Sequence, residues 1–188
     1  MMDANTLFEK YRPQFERLNA RIYTAQTYED TLLLRWWITL HETGDIHRLI
    51  LPDSHRLSAF MNIFKHPTAM LYSLAPDNTI DNAAWFAPID EVSKHRAAYG
   101  AMWCAPPCRG THKQMDFGAF AYSLAFEVHD AILGMTWQPE LIDIHLKLGY
   151  NVVGVIPHLH DKENVFIVHL TRERFMSSRF MQIAQRRT

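Results

Sequence analysis

The strongest constraint on the fold lies in the last third of the chain, where a strand, a helix and two more strands follow one another closely. Residues 131–137 form an apolar run of strand length, and residues 138–148 place their apolar side chains on one helical face. Gly149 is expected to end this helix, since glycine is favoured at helix C-termini. Two β-branched segments, 151–156 and 164–170, predict a pair of strands. This order indicates an α/β or α+β domain with a mixed sheet.

The first two thirds of the chain add further predicted helices and strands. Residues 1–43 carry aromatic and aliphatic side chains at helical spacing, and we expect them to be helical. A short strand is predicted at 47–51. Segments 68–75 and 83–89 are apolar, and the turn-forming residues PDNTID between them predict an antiparallel hairpin.

The overall composition is that of an ordinary globular protein of one domain. The chain has 188 residues, of which 48% are hydrophobic and 21% are charged, and its formal net charge is -1. This balance calls for neither a nucleic-acid partner nor an anionic membrane. The two cysteines do not make a disulfide framework, and the N-terminal residues show no signal-peptide pattern. We therefore expect a cytoplasmic protein, with association with a virion as the alternative.

Four motifs in the second half of the chain stand in an order that one known family shares. The strand AAYGAMWC (97–104) precedes a short loop that contains Arg109-Gly110 and then a helix. The helix at 138–148 ends in KLGY (147–150), and the strands GYNVVGVIPH and VFIVHLTRERF follow. Together these motifs resemble the GNAT superfamily of N-acetyltransferases. The resemblance implies an α/β (α+β) fold with a mixed, mostly antiparallel central sheet flanked by helices.

The resemblance also suggests a division of the chain into three parts. Residues 44–171 would form the GNAT-like acyltransferase domain. Residues 1–43 would be an N-terminal helical extension, and residues 172–188 would be a basic amphipathic tail. Aromatic residues in the two end segments are suited to docking on protein partners.

The implied acetyl-CoA site centres on the loop after residue 104. In this family acyl-CoA lies between two diverging strands, and its diphosphate lies at the N-terminus of the following helix. His112 and Gln114 replace the small residues of the family pattern and add bulk, so the loop is degenerate, while Lys113 offers a compensating cation. The backbone N–H of residue 103 or 104 would polarise the thioester carbonyl. The residues expected to contact acetyl-CoA are Trp103, Cys104, Arg109, Gly110, Thr111, His112, Lys113 and Gln114.

Acyl transfer to an amine needs a base for the amine and an acid for the leaving thiolate. Aligning KLGY with the family pattern places His145 where many members have a tyrosine as that acid, and histidine can serve near neutral pH. The alternative is a histidine that only satisfies a hydrogen bond on its helix. Candidates for the base are Glu91, Asp90 and Tyr99, near the strand that would face the acceptor.

The spacing of Cys104, Cys108 and His112 invites two other interpretations. With His158 or His160 as a fourth ligand these residues could bind zinc, although the usual knuckle spacing is C-x2-C. Cys108 could be a nucleophile, but no His/Asp partner is evident. We therefore expect no metal site.

Three functions are compatible with these features. The leading hypothesis is an acyl-CoA-dependent N-acyltransferase that transfers an acetyl group from acetyl-CoA to an amine. The alternative is a catalytically inactive protein of the same fold that serves as a structural or interaction component, for example of a phage particle. A third and weaker hypothesis is a nucleic-acid binder that uses the arginines of the C-terminal tail.

Overall fold

The fold contains both helices and strands, which are interspersed along the chain. A computed structural model describes residues 4–23, 30–48, 55–65, 69–89, 96–160 and 163–186. Within these ranges, none of the helices combines the length and the hydropathy needed to cross a membrane. The helices are α1 (Ala4–Arg17), α2 (Asp30–Glu42), α3 (Leu57–Lys65), α4 (His112–Ala125), α5 (Pro139–Leu148), α6 (Arg172–Met176) and α7 (Arg179–Gln185). The strands are β1 (Ala20–Tyr23), β2 (Ala69–Leu74), β3 (Ile80–Pro88), β4 (Ala97–Cys104), β5 (Ala131–Thr136), β6 (Asn151–His160) and β7 (Glu163–Thr171).

The strands of the described residues form one mixed sheet in the order β1-β2-β3-β4-β5-β7-β6. The β1–β2, β2–β3, β5–β7 and β6–β7 pairs are antiparallel, and β4 and β5 are parallel. The predicted fold class, a mostly antiparallel mixed sheet with flanking helices, is confirmed. The chain separates into two compact units, Met1–Ala87 with Met102–Ala121 and Pro88–Ala101 with Tyr122–Thr188.

The first unit is built around an aromatic cluster that centres on Trp36. Apolar residues of α2 recur at helical spacing, and Trp36 is 1% exposed. Its ring centroid lies 5.3–6.0 Å from those of Phe60, Phe64, Trp85 and Trp103. Aromatic pairs at such distances contribute about 0.5–1.5 kcal/mol each beyond the area they bury. The cluster therefore joins α2 and α3 to β3 and to the end of β4.

The prediction that residues 1–43 are helical throughout is wrong at Ala20–Tyr23, which forms β1 and pairs with residues 70–73 of β2. Asn19 provides the physical reason. Its φ of 47° is left-handed, a conformation that asparagine tolerates and that ends a helix. Ala20 and Tyr23 are buried, so this short segment extends the sheet.

The predicted strand at 47–51 is also wrong where the structure describes it. Asp45–Arg48 forms a 3-10 helix, and residues 49–51 lie outside the described residues. Asp45 explains the difference, because its buried carboxylate accepts a hydrogen bond from Trp103 Nε1 at 2.9 Å. This contact holds the turn against the end of β4.

The predicted hairpin is confirmed as β2 and β3. At its turn, Asp77 Oδ1 accepts hydrogen bonds from the hydroxyl and the backbone N–H of Thr79, at 2.7 and 3.0 Å. These bonds lower the pKa of the Asp77 carboxyl, the hydroxyl contributing most. Asn78 adopts a φ of 61°, which suits a tight turn.

The second unit has its own aromatic core, which includes α6. Phe175 is fully buried, and its ring centroid lies 5.6 Å from those of Tyr122 and Phe126. Arg172 donates a hydrogen bond to the carbonyl of Phe126. The beginning of the predicted tail is therefore packed into this unit.

The predicted helix end at Gly149 is confirmed. Its φ is 99°, and its N–H donates to Leu146 O at 3.0 Å. A Cβ at this position would lie 2.6 Å from the carbonyl oxygen of Arg174, which is backbone and cannot rotate away. Both the dihedral angle and the close approach therefore require glycine.

We predict that Gly149→Ala lowers the free energy of unfolding by about 2–4 kcal/mol, because the clash with Arg174 adds to the cost of a left-handed alanine. Gly44→Ala is the matched control. Gly44 also follows a helix with φ 71°, but apart from its chain neighbours no atom of the described residues lies within 4 Å of its Cβ position, so about 1–2 kcal/mol is expected. Urea denaturation measures both, and equal losses would contradict the importance of the Arg174 contact.

Candidate functional site

The loop between β4 and α4 is stabilised by hydrogen bonds among its own groups. The backbone N–H groups of Cys108, Arg109 and Thr111 donate to carbonyl oxygens three residues earlier, at 2.8, 3.3 and 3.1 Å. The N–H of Gly110 instead donates to Gln114 Oε1 at 2.7 Å. Gly110 has a φ of 71°, which glycine adopts without strain. Four successive amides of the predicted diphosphate loop therefore donate within the loop.

Thr111 and Gln114 together cap the N-terminus of α4. The pattern T-x-x-Q is that of a capping box, in which the two side chains satisfy backbone N–H groups reciprocally. Here Gln114 N lies 3.5 Å from Thr111 Oγ1, a long contact, and the Gln114 side chain reaches back to Gly110. Gln114 thus supplies the acceptor that an anion would otherwise supply. His112 lies at the first position of α4 and is exposed.

Arg109 is ion-paired with a buried carboxylate. Its Nη2 contacts Asp45 Oδ2, and its Nε donates to Cys104 O at 3.1 Å. Asp45, only 1% exposed, also accepts from Trp103 Nε1 and from Thr43 Oγ1, at 2.9 and 3.2 Å. These charge-assisted hydrogen bonds offset the cost of removing the carboxylate from water. The Arg109 side chain remains 39% exposed.

Lys113 is held in the same way by Asp81 on β3. Its Nζ contacts Asp81 Oδ2, and Asp81 is 4% exposed. Ser73 Oγ and Asn82 Nδ2 donate to Asp81 Oδ1, the latter at 3.1 Å. Both cations that the sequence predicts for a diphosphate are therefore paired with buried aspartates.

Cys104 and Cys108 do not have the environment of reactive thiols. Burial raises the pKa of Cys104 to about 12, with Cys108 adding to the rise and Arg109 opposing it. Burial, followed by the charge of Asp81, also raises the pKa of Cys108. Among the described residues, no group of three or more His, Cys, Asp or Glu side chains could hold a metal ion. The zinc and Cys108-nucleophile interpretations therefore gain no support.

His145, the predicted general acid, lies on α5 with one ring nitrogen engaged. Its Nδ1 is 2.7 Å from Leu141 O, so Nδ1 carries the proton and Nε2 presents a lone pair when the ring is neutral. Burial lowers the pKa of His145, against the opposing effect of the Leu141 carbonyl. A neutral imidazole is suited to accept a proton, whereas the sequence-based prediction for His145 is a general acid.

Tyr99, a predicted base, has a raised pKa, whereas the pKa of His145 is lowered. Burial raises its pKa to about 12, with a smaller contribution from Tyr122, so the phenol stays protonated at neutral pH. Tyr150 donates a hydrogen bond to the hydroxyl of Tyr122 at 3.1 Å, and the His145 ring packs edge-on against Tyr150 at 5.1 Å. The second unit thus brings together three tyrosines and one histidine, and Tyr99 is suited to donate a hydrogen bond.

The parallel ladder between β4 and β5 is short. It joins residues 97–99 to residues 131–133, and in the described part of the chain it ends at Tyr99 and Leu133. β5 continues to Thr136, paired on its other edge with β7. At Gly134 a Cβ would stand 3.6 Å from Gly100 O, so the strands are still neighbours where the pairing stops. The predicted acyl-CoA site requires the two strands to diverge beyond this point.

The remaining predicted site residues fall into two groups. Trp103 and Cys104 are buried at the end of β4, and the Cys104 thiol donates to Ala105 O at 3.4 Å. Glu91 and Asp90 lie outside the described residues.

Three features of this site are not predicted from the sequence, namely Asp45, Asp81 and the capping role of Gln114. The cap could have been found from the T-x-x-Q pattern, because this motif lies within four consecutive residues. The two aspartates have no such signal, since their partners lie 64 and 32 residues away along the chain.

We predict that Arg109→Ala lowers the free energy of unfolding by about 2–4 kcal/mol, because it leaves the buried Asp45 carboxylate without its closest cation. Asp45→Asn in the same background should recover part of this loss. Arg48→Ala is the matched control. Arg48 is exposed and 3.8 Å from the same carboxylate, so a loss below about 1 kcal/mol is expected. Equal losses in guanidinium denaturation would contradict this assignment.

The thiol environments predict selective alkylation. At about pH 8, where ordinary thiols are partly ionised, we expect iodoacetamide to modify Cys108 well before Cys104. Cys104 has both a pKa of about 12 and a buried side chain. Peptide mass spectrometry over time measures the two rates, and rapid modification of Cys104 in the folded protein would contradict its assignment as a core residue.

Comparison with known proteins agrees with this geometry at the level of the fold. No protein-family model and no curated protein matches the chain. Among solved structures, spermidine N-acetyltransferase from Vibrio cholerae in complex with CoA and spermine matches with a TM-score of 0.64 and 11% identity. This match covers 84% of this chain and 98% of that one. A GCN5-related N-acetyltransferase from Kribbella flavida matches with a TM-score of 0.60 and 14% identity, over 81% and 97% of the two chains. A ribosomal-protein-alanine N-acetyltransferase from Brucella melitensis matches with a TM-score of 0.59 and 10% identity, over 80% and 99%. The chain therefore has the fold of the GNAT N-acetyltransferases, as its sequence motifs predict.

Proposed function

We propose that this protein is an acyl-CoA-dependent N-acyltransferase that transfers an acetyl group from acetyl-CoA to an amine. The observation that carries the proposal is the β4–β5 ladder, which ends after three residue pairs although β5 continues. The backbone groups of β5 beyond Leu133, which the described residues of β4 do not pair with, could bind the amide groups of an extended ligand, as in strand addition. The pantetheine arm of CoA carries such amide groups.

The acceptor is proposed to be an amine because of the structural neighbours. One of them is a spermidine N-acetyltransferase solved with CoA and spermine. Others are named as acting on a ribosomal-protein alanine. The shared chemistry is attack by an uncharged amine nitrogen on a thioester carbonyl, with loss of one amine proton and release of the CoA thiolate.

We propose that His145 accepts the proton of the amine and that Tyr99 stabilises the leaving sulfur. Neutral His145 can accept a proton at Nε2, because its Nδ1–H already donates to Leu141 O. Tyr99, whose pKa is raised to about 12, can donate a hydrogen bond that stabilises the developing thiolate, and solvent then supplies the proton. These roles exchange acid and base relative to the sequence-based expectation.

Calorimetric titration with acetyl-CoA, followed by turnover assays on polyamine and peptide amines, tests the proposal. We expect saturable binding and release of free CoA only when an amine is present. If acetyl-CoA at millimolar concentration neither binds nor raises the melting temperature, this function is excluded.

We predict a specific pH dependence for the active protein. Protonation removes the proposed base, and burial lowers the pKa of His145 from 6.5, so kcat/KM should fall only at a pH below 6.5. His145→Gln should lower kcat by about 10²–10⁴-fold and abolish this acid limb, without weakening acetyl-CoA binding. His55→Gln, at an exposed histidine before α3, is the control and should leave the profile unchanged. An unaltered profile in His145→Gln would remove His145 from the mechanism.

A second candidate function, a catalytically inactive structural or interaction component, is favoured by the loop before α4. Its amides donate within the loop, and its cations Arg109 and Lys113 are paired with Asp45 and Asp81. An inactive component would show no acetyl-CoA binding but would co-purify in a larger assembly. The segments proposed for its contacts are residues 1–43 and 172–188.

A further inference from the structure

The loop before α4 contains one hydrogen bond that differs in kind from its neighbours. The N–H groups of Cys108, Arg109 and Thr111 donate to backbone carbonyls, which cannot leave without refolding the loop. The N–H of Gly110 donates to a side-chain oxygen, Gln114 Oε1, which a rotation of the glutamine side chain would remove. Of these four amides, Gly110 is therefore the one that an external acceptor can reach at the lowest cost.

The charges around this hydrogen bond make an external acceptor favourable once the glutamine has moved. The N-terminus of α4 carries the positive end of the helix dipole. The Arg109 and Lys113 side chains are 39% and 38% exposed, so each remains partly accessible to solvent despite its aspartate partner. A diphosphate oxygen would offer Gly110 N–H a charged acceptor in place of a neutral amide oxygen.

We propose that the Gln114 amide is an internal competitor for the diphosphate of acyl-CoA, so that the loop binds CoA only when Gln114 rotates away from Gly110. This inference rests on the proposed acyl-CoA function and names the regulation of that same site. It predicts the unusual result that removing a polar side chain from the loop strengthens the binding of a polar ligand.

Three variants test the competition. Gln114→Ala removes the competing oxygen, and CoA should bind about three- to ten-fold more tightly, the factor that corresponds to one net hydrogen bond. Gln114→Glu keeps the cap, strengthens the hydrogen bond from Gly110 and adds a negative charge, so CoA should bind at least about ten-fold more weakly. Gln182→Ala is the matched control. Gln182 is an exposed helical glutamine whose Nε2 donates to Ser177 O at 3.2 Å, and CoA affinity should not change.

Calorimetric titration of CoA into the full-length wild type and the three variants, each checked for unchanged helix content by circular dichroism, separates the outcomes. Tighter binding by Gln114→Ala than by the wild type supports the inference. Wild-type binding that Gln114→Ala leaves equal or weaker overturns the inference and leaves the proposed function standing. Absence of binding by both the wild type and Gln114→Ala overturns both.

Discussion

The loop before α4 depends on one interaction, the burial of the Asp45 carboxylate. An unpaired charge at 1% exposure would cost several kcal/mol, so its donors must converge from separate parts of the first unit. The donors to Asp45 are Trp103 at the end of β4, Arg109 in the loop and Thr43 in the turn after α2. Because Trp103 also belongs to the aromatic cluster around Trp36, the position of the loop follows from packing in the core.

This arrangement means that the loop acquires its shape without a ligand. In a loop that is ordered only by phosphate, the amides and cations have no partner until the anion binds, and the folded protein without the ligand is less stable as a result. Here Asp45 and Asp81 satisfy the cations, and Gln114 satisfies Gly110. The loop is therefore stable by itself, and any affinity for acyl-CoA must be the difference between ligand contacts and these internal contacts. Of these internal contacts, the hydrogen bond from Gly110 N–H to Gln114 Oε1 is the one that a ligand can replace with the least change in the loop.

The sequence predicts most elements of this fold because they carry periodic or local signals. The apolar spacing in α5 and the glycine after it are local, and so is the turn chemistry between β2 and β3. β1 is missed because Asn19 turns the chain after α1, and four residues are too few to show a period. The pairing of Arg109 with Asp45 leaves no mark in the sequence, since 64 residues separate the partners. The roles proposed for His145 and Tyr99 depend on burial, which residue type alone does not reveal.

The most direct measurement is an experimental structure of the protein crystallised with acetyl-CoA, examined at the backbone nitrogen of Gly110. We expect a diphosphate oxygen within hydrogen-bonding distance of that nitrogen and the Gln114 side chain in a different rotamer. Bound acetyl-CoA with Gln114 Oε1 still on Gly110, or crystals without the ligand at saturating concentration, would contradict the proposed use of this loop.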